Sequence, residues 1–241
     1  MTLPLLDIAG LSVIRRAGAY EFRLEVPALA LPAGGRAALL GKSGSGKSTL
    51  LDLLALALPP DHATRFCLRT AGEEIDLAAA WHGPGTVQDR TRARHIGYVL
   101  QTGGLLPFLS VRRNIALPAE IAGRPAPDRV EALARRLGVD RHLDRMPHAL
   151  SVGERQRAAI ARALVHAPPL VLADEPTSAL DPSLAVEVMD LLLAETRAEG
   201  AALIIATHDH AAAARLALPV VAFEITRTEG GAVAVARPTW S

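Results

Sequence analysis

The chain is expected to fold as an α/β domain, and three observations carry that expectation. The apolar run 37–40 leads directly into Gly41-Lys42-Ser43-Gly44-Ser45-Gly46-Lys47-Ser48 and then into a second apolar stretch, 50–58, the order strand, phosphate loop, helix. Leu170-Val171-Leu172-Ala173 is a short apolar run ending on Asp174-Glu175, which reads as a buried parallel strand delivering acids to its C-terminal edge. A third apolar run, 202–206, stands before Thr207-His208-Asp209. Open α/β sheets bind their ligands at that edge.

Taken in order, residues 5–31 alternate and carry few helix signals after Arg16, so they predict an antiparallel β layer leading to the phosphate-loop strand. Residues 59–94, with Pro59-Pro60 and Gly83-Pro84-Gly85, predict irregular loops or short strands. Pro127-Asp128 opens a helix with Val130, Leu133, Ala134 and Leu137 on one face and Gly138 as its stop. A second helix follows Asp181-Pro182, an N-cap with Pro at the first helical position, and is expected to turn Leu184, Val188, Leu191 and Leu192 inward. Residues 220–225 and 232–236, separated by Glu229-Gly230-Gly231, predict a terminal hairpin.

The chemistry follows from the loop and the acids. Glycines 41, 44 and 46 let the backbone turn tightly and aim N–H groups at one anion, while the next helix adds its positive N-terminal end. Lys47 would reach the β- and γ-phosphates and the Ser48 hydroxyl would ligate Mg²⁺. The alternative is a glycine-rich turn that only happens to contain Lys and Ser. Asp174 would hold Mg²⁺, and Glu175 would be the general base that orients and deprotonates the attacking water. An acidic pair after an apolar run also occurs at helix starts, so the residues alone leave that structural reading open.

Leu150-Ser151-Val152-Gly153-Glu154-Arg155-Gln156-Arg157 lies between these motifs, and with it the chain resembles ATP-binding-cassette (ABC) ATPases over nearly its whole length. The shared order is the phosphate loop at 41–49, Gln101 after Ile96-Gly97-Tyr98-Val99-Leu100, the Leu-Ser-x-Gly-Glu segment, the acidic strand at 170–175, Ser178-Ala179-Leu180-Asp181, and Thr207-His208-Asp209. The resemblance implies a RecA-like parallel-sheet core with an N-terminal antiparallel β layer and a helical insertion. The single domain 1–241 would divide into a catalytic core of 1–101 and 166–241 and a helical subdomain of 102–165. It further implies that Gly41, Ser43, Gly44, Ser45, Gly46, Lys47, Ser48 and Thr49 hold the phosphates of ATP. Ser48, Gln101 and Asp174 would share Mg²⁺, Glu175 would be the base, and His208 would contact the γ-phosphate. Two cassettes, as a homodimer or with a second, different cassette, would dimerise head to tail; Ser151 and Gly153 would touch the partner's ATP, and Asp181 would connect the two sites.

Two positions depart from the family pattern. Val152 stands where the family usually has a glycine; a position with positive φ would make this β-branched residue costly, whereas an ordinary helical or extended backbone would tolerate it. The family also stacks adenine on an aromatic residue upstream of the loop. Counting back from Gly41 arrives near Val13 or Ile14, leaving Tyr20 as the adenine candidate with Phe22 beside it, both of which fit equally as strand residues.

Composition bounds the remaining possibilities. Half of the residues are apolar but only 3% aromatic, and no apolar stretch approaches the about 18 residues of a membrane span. The N-terminus has no basic segment leading into a signal-peptide core, so a cytoplasmic protein is expected, peripheral on the cytoplasmic face of the inner (plasma) membrane. Cys67 is the one cysteine, which excludes an internal disulfide, and the net charge of +1 argues against a surface dedicated to nucleic acid. Residues 102–118 and 153–164 resemble the lipoprotein-releasing and macrolide-exporter branch, which implies integral membrane permease subunits docked at 102–118. Three readings stay open: the energising subunit of a transporter or extractor, a non-transport cassette driving a mechanical or signalling event, and an ATP-dependent dimerisation switch with weak hydrolysis.

Overall fold

The computed structural model describes residues 3–70, 72–82 and 86–240. The expected loop Gly83-Pro84-Gly85 lies outside the described residues. Two compact units result, one of residues 1–89 and 204–241, the other of residues 90–203. Among the described residues no helix is long and apolar enough to cross a membrane.

The first unit begins with the antiparallel pair β1 (Leu6–Ala17) and β2 (Tyr20–Leu31), in register from Leu6 opposite Leu31 to Ala17 opposite Tyr20. The inward-facing residues are Leu6, Ile8, Leu11 and Val13 on β1 and Leu24, Val26, Leu29 and Leu31 on β2. In both strands the alternation slips by one residue where Gly10 stands opposite Pro27; a proline offers no N–H to the ladder, so the pairing is interrupted there without losing register. The two short strands β4 (Arg65–Arg69) and β5 (Glu74–Asp76) extend this layer on the β1 side. On the other side, the hairpin β9 (Val220–Thr228) and β10 (Gly231–Pro238) joins through a parallel pairing of β10 with β2. Strand β3 (Arg36–Leu40) then pairs in parallel with β9 and runs into the phosphate loop. Helix α1 (Lys47–Leu54) follows, with Leu50, Leu51, Leu53 and Leu54 fully buried.

The segment expected to be irregular, 59–94, supplies the two short strands but also opens a helix, α2 (Thr86–His95). Its sequence, Thr-Val-Gln-Asp-Arg-Thr-Arg-Ala-Arg-His, has no apolar stripe, so hydrophobic periodicity carries no sign of it.

In the second unit β6 (Ile96–Val99) pairs in parallel with β7 (Leu170–Asp174), with Ile96 level with Leu170 and Val99 with Ala173. The intervening residues form α3 (Val111–Ile121), α4 (Pro127–Arg136) and α5 (Val152–Leu164). Helix α4 has the expected apolar face, with Val130, Leu133, Ala134 and Leu137 all buried, and ends before Gly138 at φ 67°. Helix α6 (Pro182–Ala198) starts at Asp181 as expected, but its buried residues are Val188, Met189, Leu192, Glu195 and Thr196; Leu184 and Leu191 are only half-buried. On a helical period the buried residues form one stripe, with Val188 and Leu192 inward as expected and Leu184 and Leu191 at its edge; at the C-terminal end Glu195 and Glu199 add ion pairs to α4, both receiving Arg136 and Glu199 also Arg129. Strand β8 (Ala202–Thr207) leads out of this unit, and α7 (His210–Arg215) follows it.

Candidate functional site

The phosphate loop has the geometry of an anion cradle. Gly44 and Gly46 both have positive φ, 74° and 99°, a conformation that costs an L-residue about 1–2 kcal/mol. Space at Gly46 is tight as well, since a Cβ there would lie 3.0 Å from Cζ of the Phe22 ring. At Gly44 a Cβ would meet nothing within 4 Å, so the loop is open on that side. Gly46 caps α1 without any side-chain hydrogen bond, leaving the first N–H groups of the helix for another acceptor. Lys47 is buried, and its ammonium donates to the carbonyls of Gly41 at 2.8 Å and Lys42 at 3.2 Å, which curls the charge back into its own loop. Ser45 Oγ is buried with no hydrogen-bond partner. A cation, an orphaned hydroxyl and an uncapped helix start in one turn fit a phosphate chain. Ser43 and Ser48 are exposed beside them and Thr49 is half-buried.

The first unit also carries the adenine candidates and His208. Tyr20 is 48% exposed at the start of β2, whereas Phe22, half-buried, is the ring that packs on the phosphate loop. His208 is exposed in the turn after β8, between Thr207, whose hydroxyl accepts from Asp209 N at 3.0 Å, and α7, which Asp209 caps by accepting from Ala212 N at 2.9 Å.

The second unit gathers the acids and the glutamine. β6 and β7 are parallel and in register up to Val99 level with Ala173, so Gln101, in the turn two residues past β6, and Asp174 and Glu175, at and just past the end of β7, follow the C-terminal ends of two neighbouring strands. Their oxygens and the Ser48 hydroxyl are all hard donors, the type Mg²⁺ selects. Glu175 has φ 43°, a left-handed conformation unusual for a residue with a side chain. The turn that imposes it is secured by Ser178, whose N–H and hydroxyl both donate to Glu175 O, at 3.2 and 3.1 Å. Strain of this kind concentrates at functional positions. Asp181 accepts from the Ser183 hydroxyl at 2.7 Å and Leu184 N at 3.1 Å, and these two bonds hold its carboxyl below the usual range.

Ser151 is the N-cap of α5, at φ −62° and ψ 166°, and forms a full capping box with Glu154. Val152 is the first helical residue, outside the positive-φ residues and 42% exposed, so the ordinary-backbone alternative holds and valine is tolerated. At Gly153 a Cβ would lie 2.6 Å from Cδ2 of Leu184, the half-buried residue at the start of α6, so a side chain there would make that leucine shift. Val152→Gly is therefore expected to lose about 0.5–1 kcal/mol of stability through helix propensity and to gain no turnover, checked by denaturant titration and ATPase rate against protein concentration. A several-fold faster glycine variant would defeat this.

Three residues were missed in the sequence. Arg162, largely buried, donates to the carbonyls of Gly104 at 2.7 Å and Gly103 at 2.9 Å, clasping the loop that leaves Gln101, and burial pushes its pKa down. An arginine inside Ala158-Ala159-Ile160-Ala161-Arg162-Ala163-Leu164 was a visible anomaly. Asn114, fully buried, exchanges hydrogen bonds with Leu106 and donates to Leu109 O and Ser110 O, shaping the turn that exposes Phe108. Glu154 completes a Ser-x-x-Glu signature that sequence alone displays.

Comparison with known proteins agrees with this geometry. The family model described as ABC transporter matches residues 24–178. The lipoprotein-releasing system ATP-binding protein LolD of Maricaulis maris (strain MCS10) is 42% identical over 191 residues, 78% of this chain and 80% of that protein. The macrolide export ATP-binding/permease protein MacB 1 of Aeromonas hydrophila subsp. hydrophila is 40% identical over 219 residues, 88% of this chain but 32% of the relative, so the chain spans about a third of the length of such export relatives. Among solved structures, a dimeric ATP-binding cassette in a post-hydrolysis state bound to ADP and Pi matches at TM-score 0.77 and 26% identity over 94% of this chain and 95% of that one. With a phosphate loop on one unit and a strained acid after a parallel strand on the other, this chain belongs to the ABC transporter family, as an ATP-binding and ATP-hydrolysing cassette.

Proposed function

We propose that the chain energises a membrane transporter or extractor of the lipoprotein-releasing or macrolide-export type. The observation that carries this reading is the 42% identity to LolD over 80% of that protein's length, a protein named as a lipoprotein-releasing ATP-binding subunit. Functionally the chain divides into a catalytic core of 1–101 and 166–241 and a helical subdomain of 102–165.

In this reading Lys47 and the 41–49 loop bind the ATP phosphates, and Ser48, Gln101 and Asp174 hold Mg²⁺, which when bound neutralises charge on the phosphates. Glu175, the first residue past β7, takes a proton from the attacking water. His208 donates to the γ-phosphate, and Tyr20 or Phe22 meets the adenine. Ser151 and Gly153 face the ATP of a second cassette, identical or paralogous, and Asp181 links the two sites. The permease subunit docks at 102–118, where Phe108 is 72% exposed, and the complex sits on the cytoplasmic face of the inner (plasma) membrane without nucleic acid. The helical backbone at Val152 favours an active hydrolase over a switch with weak hydrolysis.

The test is Mg-ATP hydrolysis by the pure protein, alone and with a co-expressed membrane subunit. Phe108→Glu should lower recovery with the membrane subunit by about tenfold or more, as loss of an apolar anchor does, and lower basal hydrolysis far less. No hydrolysis by the wild type in either state would overturn the reading.

A further inference from the structure

Ser151 is held by more than its own helix. Its partner Glu154 is engaged at both carboxylate oxygens. Oε2 accepts from Ser151 N at 2.8 Å and from Ser151 Oγ at 2.9 Å, and Glu154 N donates back to Ser151 Oγ at 3.3 Å. Oε1 lies 2.9 Å from Nε2 of His142, a buried side chain from the turn Asp140–His142. The other ring nitrogen, Nδ1, is buried and has no partner. A proton on Nδ1 would be stranded and would leave two lone pairs facing each other across the 2.9 Å gap, so the hydrogen bonding assigns the proton to Nε2. Arg141 Nε–H also points at Nε2, at 3.2 Å; that nitrogen cannot both accept there and donate to Glu154, and the shorter 2.9 Å contact to a carboxylate is the stronger of the two. The Ser151 backbone N–H and hydroxyl, with His142 adding to them, hold the Glu154 carboxyl below the usual carboxylate range, so it is an acceptor with three donors converging on it.

We infer that His142 is a positioning residue for Ser151, acting through Glu154. The inference rests on the reading that Ser151 meets the nucleotide of a second copy. The capping box alone leaves Glu154 tied to the chain on one side only, and its side chain can swing about that tie. His142 pins the opposite oxygen, which fixes the carboxylate and with it the rotamer of the Ser151 hydroxyl before any phosphate arrives. Preorganisation of this kind reduces the ordering cost of forming the composite site. The hydroxyl proton then needs only to rotate from Glu154 to the incoming phosphate, while Glu154 keeps the Ser151 N–H.

The experiment measures Mg-ATP-driven dimerisation by sedimentation in a Glu175→Gln background. His142→Leu should weaken the dimer about tenfold, as expected for losing one hydrogen bond to a charged group, while ATP binding to the monomer is unchanged. His142→Gln, which keeps an N–H donor, should recover most of the loss. In a Glu154→Ala background His142→Leu should add nothing, because its effect passes through that carboxylate. If His142→Leu is unfolded by circular dichroism, His142→Asn, whose amide falls short of Glu154, takes its place in the same comparison. Parental dimerisation by the donor-less variant, equal losses for it and the glutamine variant, or full additivity with Glu154→Ala would overturn the role. Ser151→Arg is run alongside: an intact dimer there defeats the composite-site reading and this inference together, whereas loss there with none at His142 defeats only the inference.

Discussion

Glu175→Gln should bind ATP as the wild type does and turn it over about 10²–10⁴ times more slowly, the usual consequence of removing a general base. The substitution is suited to the structure. Glutamine keeps the volume of glutamate and tolerates φ 43° no worse, and the Ser178 bonds that secure this turn run to the backbone carbonyl of residue 175, which the substitution retains. What disappears is one oxygen able to take a proton from water. With hydrolysis stopped, the ATP-bound dimer should accumulate in the presence of Mg-ATP. Single-turnover hydrolysis and size-exclusion chromatography with Mg-ATP measure the two effects. Wild-type turnover would remove Glu175 from the chemistry.

Ser151→Arg should abolish ATP-driven dimerisation while leaving the monomer's nucleotide affinity nearly intact. Ser151 is exposed at the start of α5, and its N–H and hydroxyl bond the Glu154 carboxylate three residues along the same helix, so arginine can be placed without disturbing a buried core. Losing the cap costs about 0.5–2 kcal/mol, which a folded cassette can absorb. Bulk at the γ-phosphate of a second copy is another matter, because a buried clash at the centre of an interface is not relieved by small movements. Sedimentation with Mg-ATP in the Glu175→Gln background reads the dimer. An unchanged dimer fraction would place Ser151 away from any interface.

Much of this was legible in the residues because the relevant signals are local. A glycine-rich loop between two apolar runs, an apolar strand ending on Asp174-Glu175, the capped helix start at Asp181, and the β layer read over 5–31 each follow from neighbouring residues alone. Helix α2 was not legible, since its polar sequence has no periodic face and its residues read as loop. The inward face of α6 was legible at Val188 and Leu192, whereas Leu184 and Leu191 fall at the edge of the buried stripe, which Met189, Glu195 and Thr196 complete. The question at Val152 also needed the fold: one residue type is compatible with two backbone conformations, and only the helix begun at Ser151 selects between them.

The sequence by itself determined the family's order of motifs, the residue types able to bind phosphate and magnesium and to activate water, and the strands that carry them. Tertiary structure decided what those residues lean on. Phe22 closes one side of the phosphate loop, Leu184 reserves the space at Gly153, Arg162 clasps the loop beyond Gln101, and His142 reaches Glu154 across 12 positions of chain. None of these pairings is encoded in spacing. Each depends on where folding brings distant segments together, and side-chain packing and hydrogen bonding between such segments have no periodic trace in the sequence.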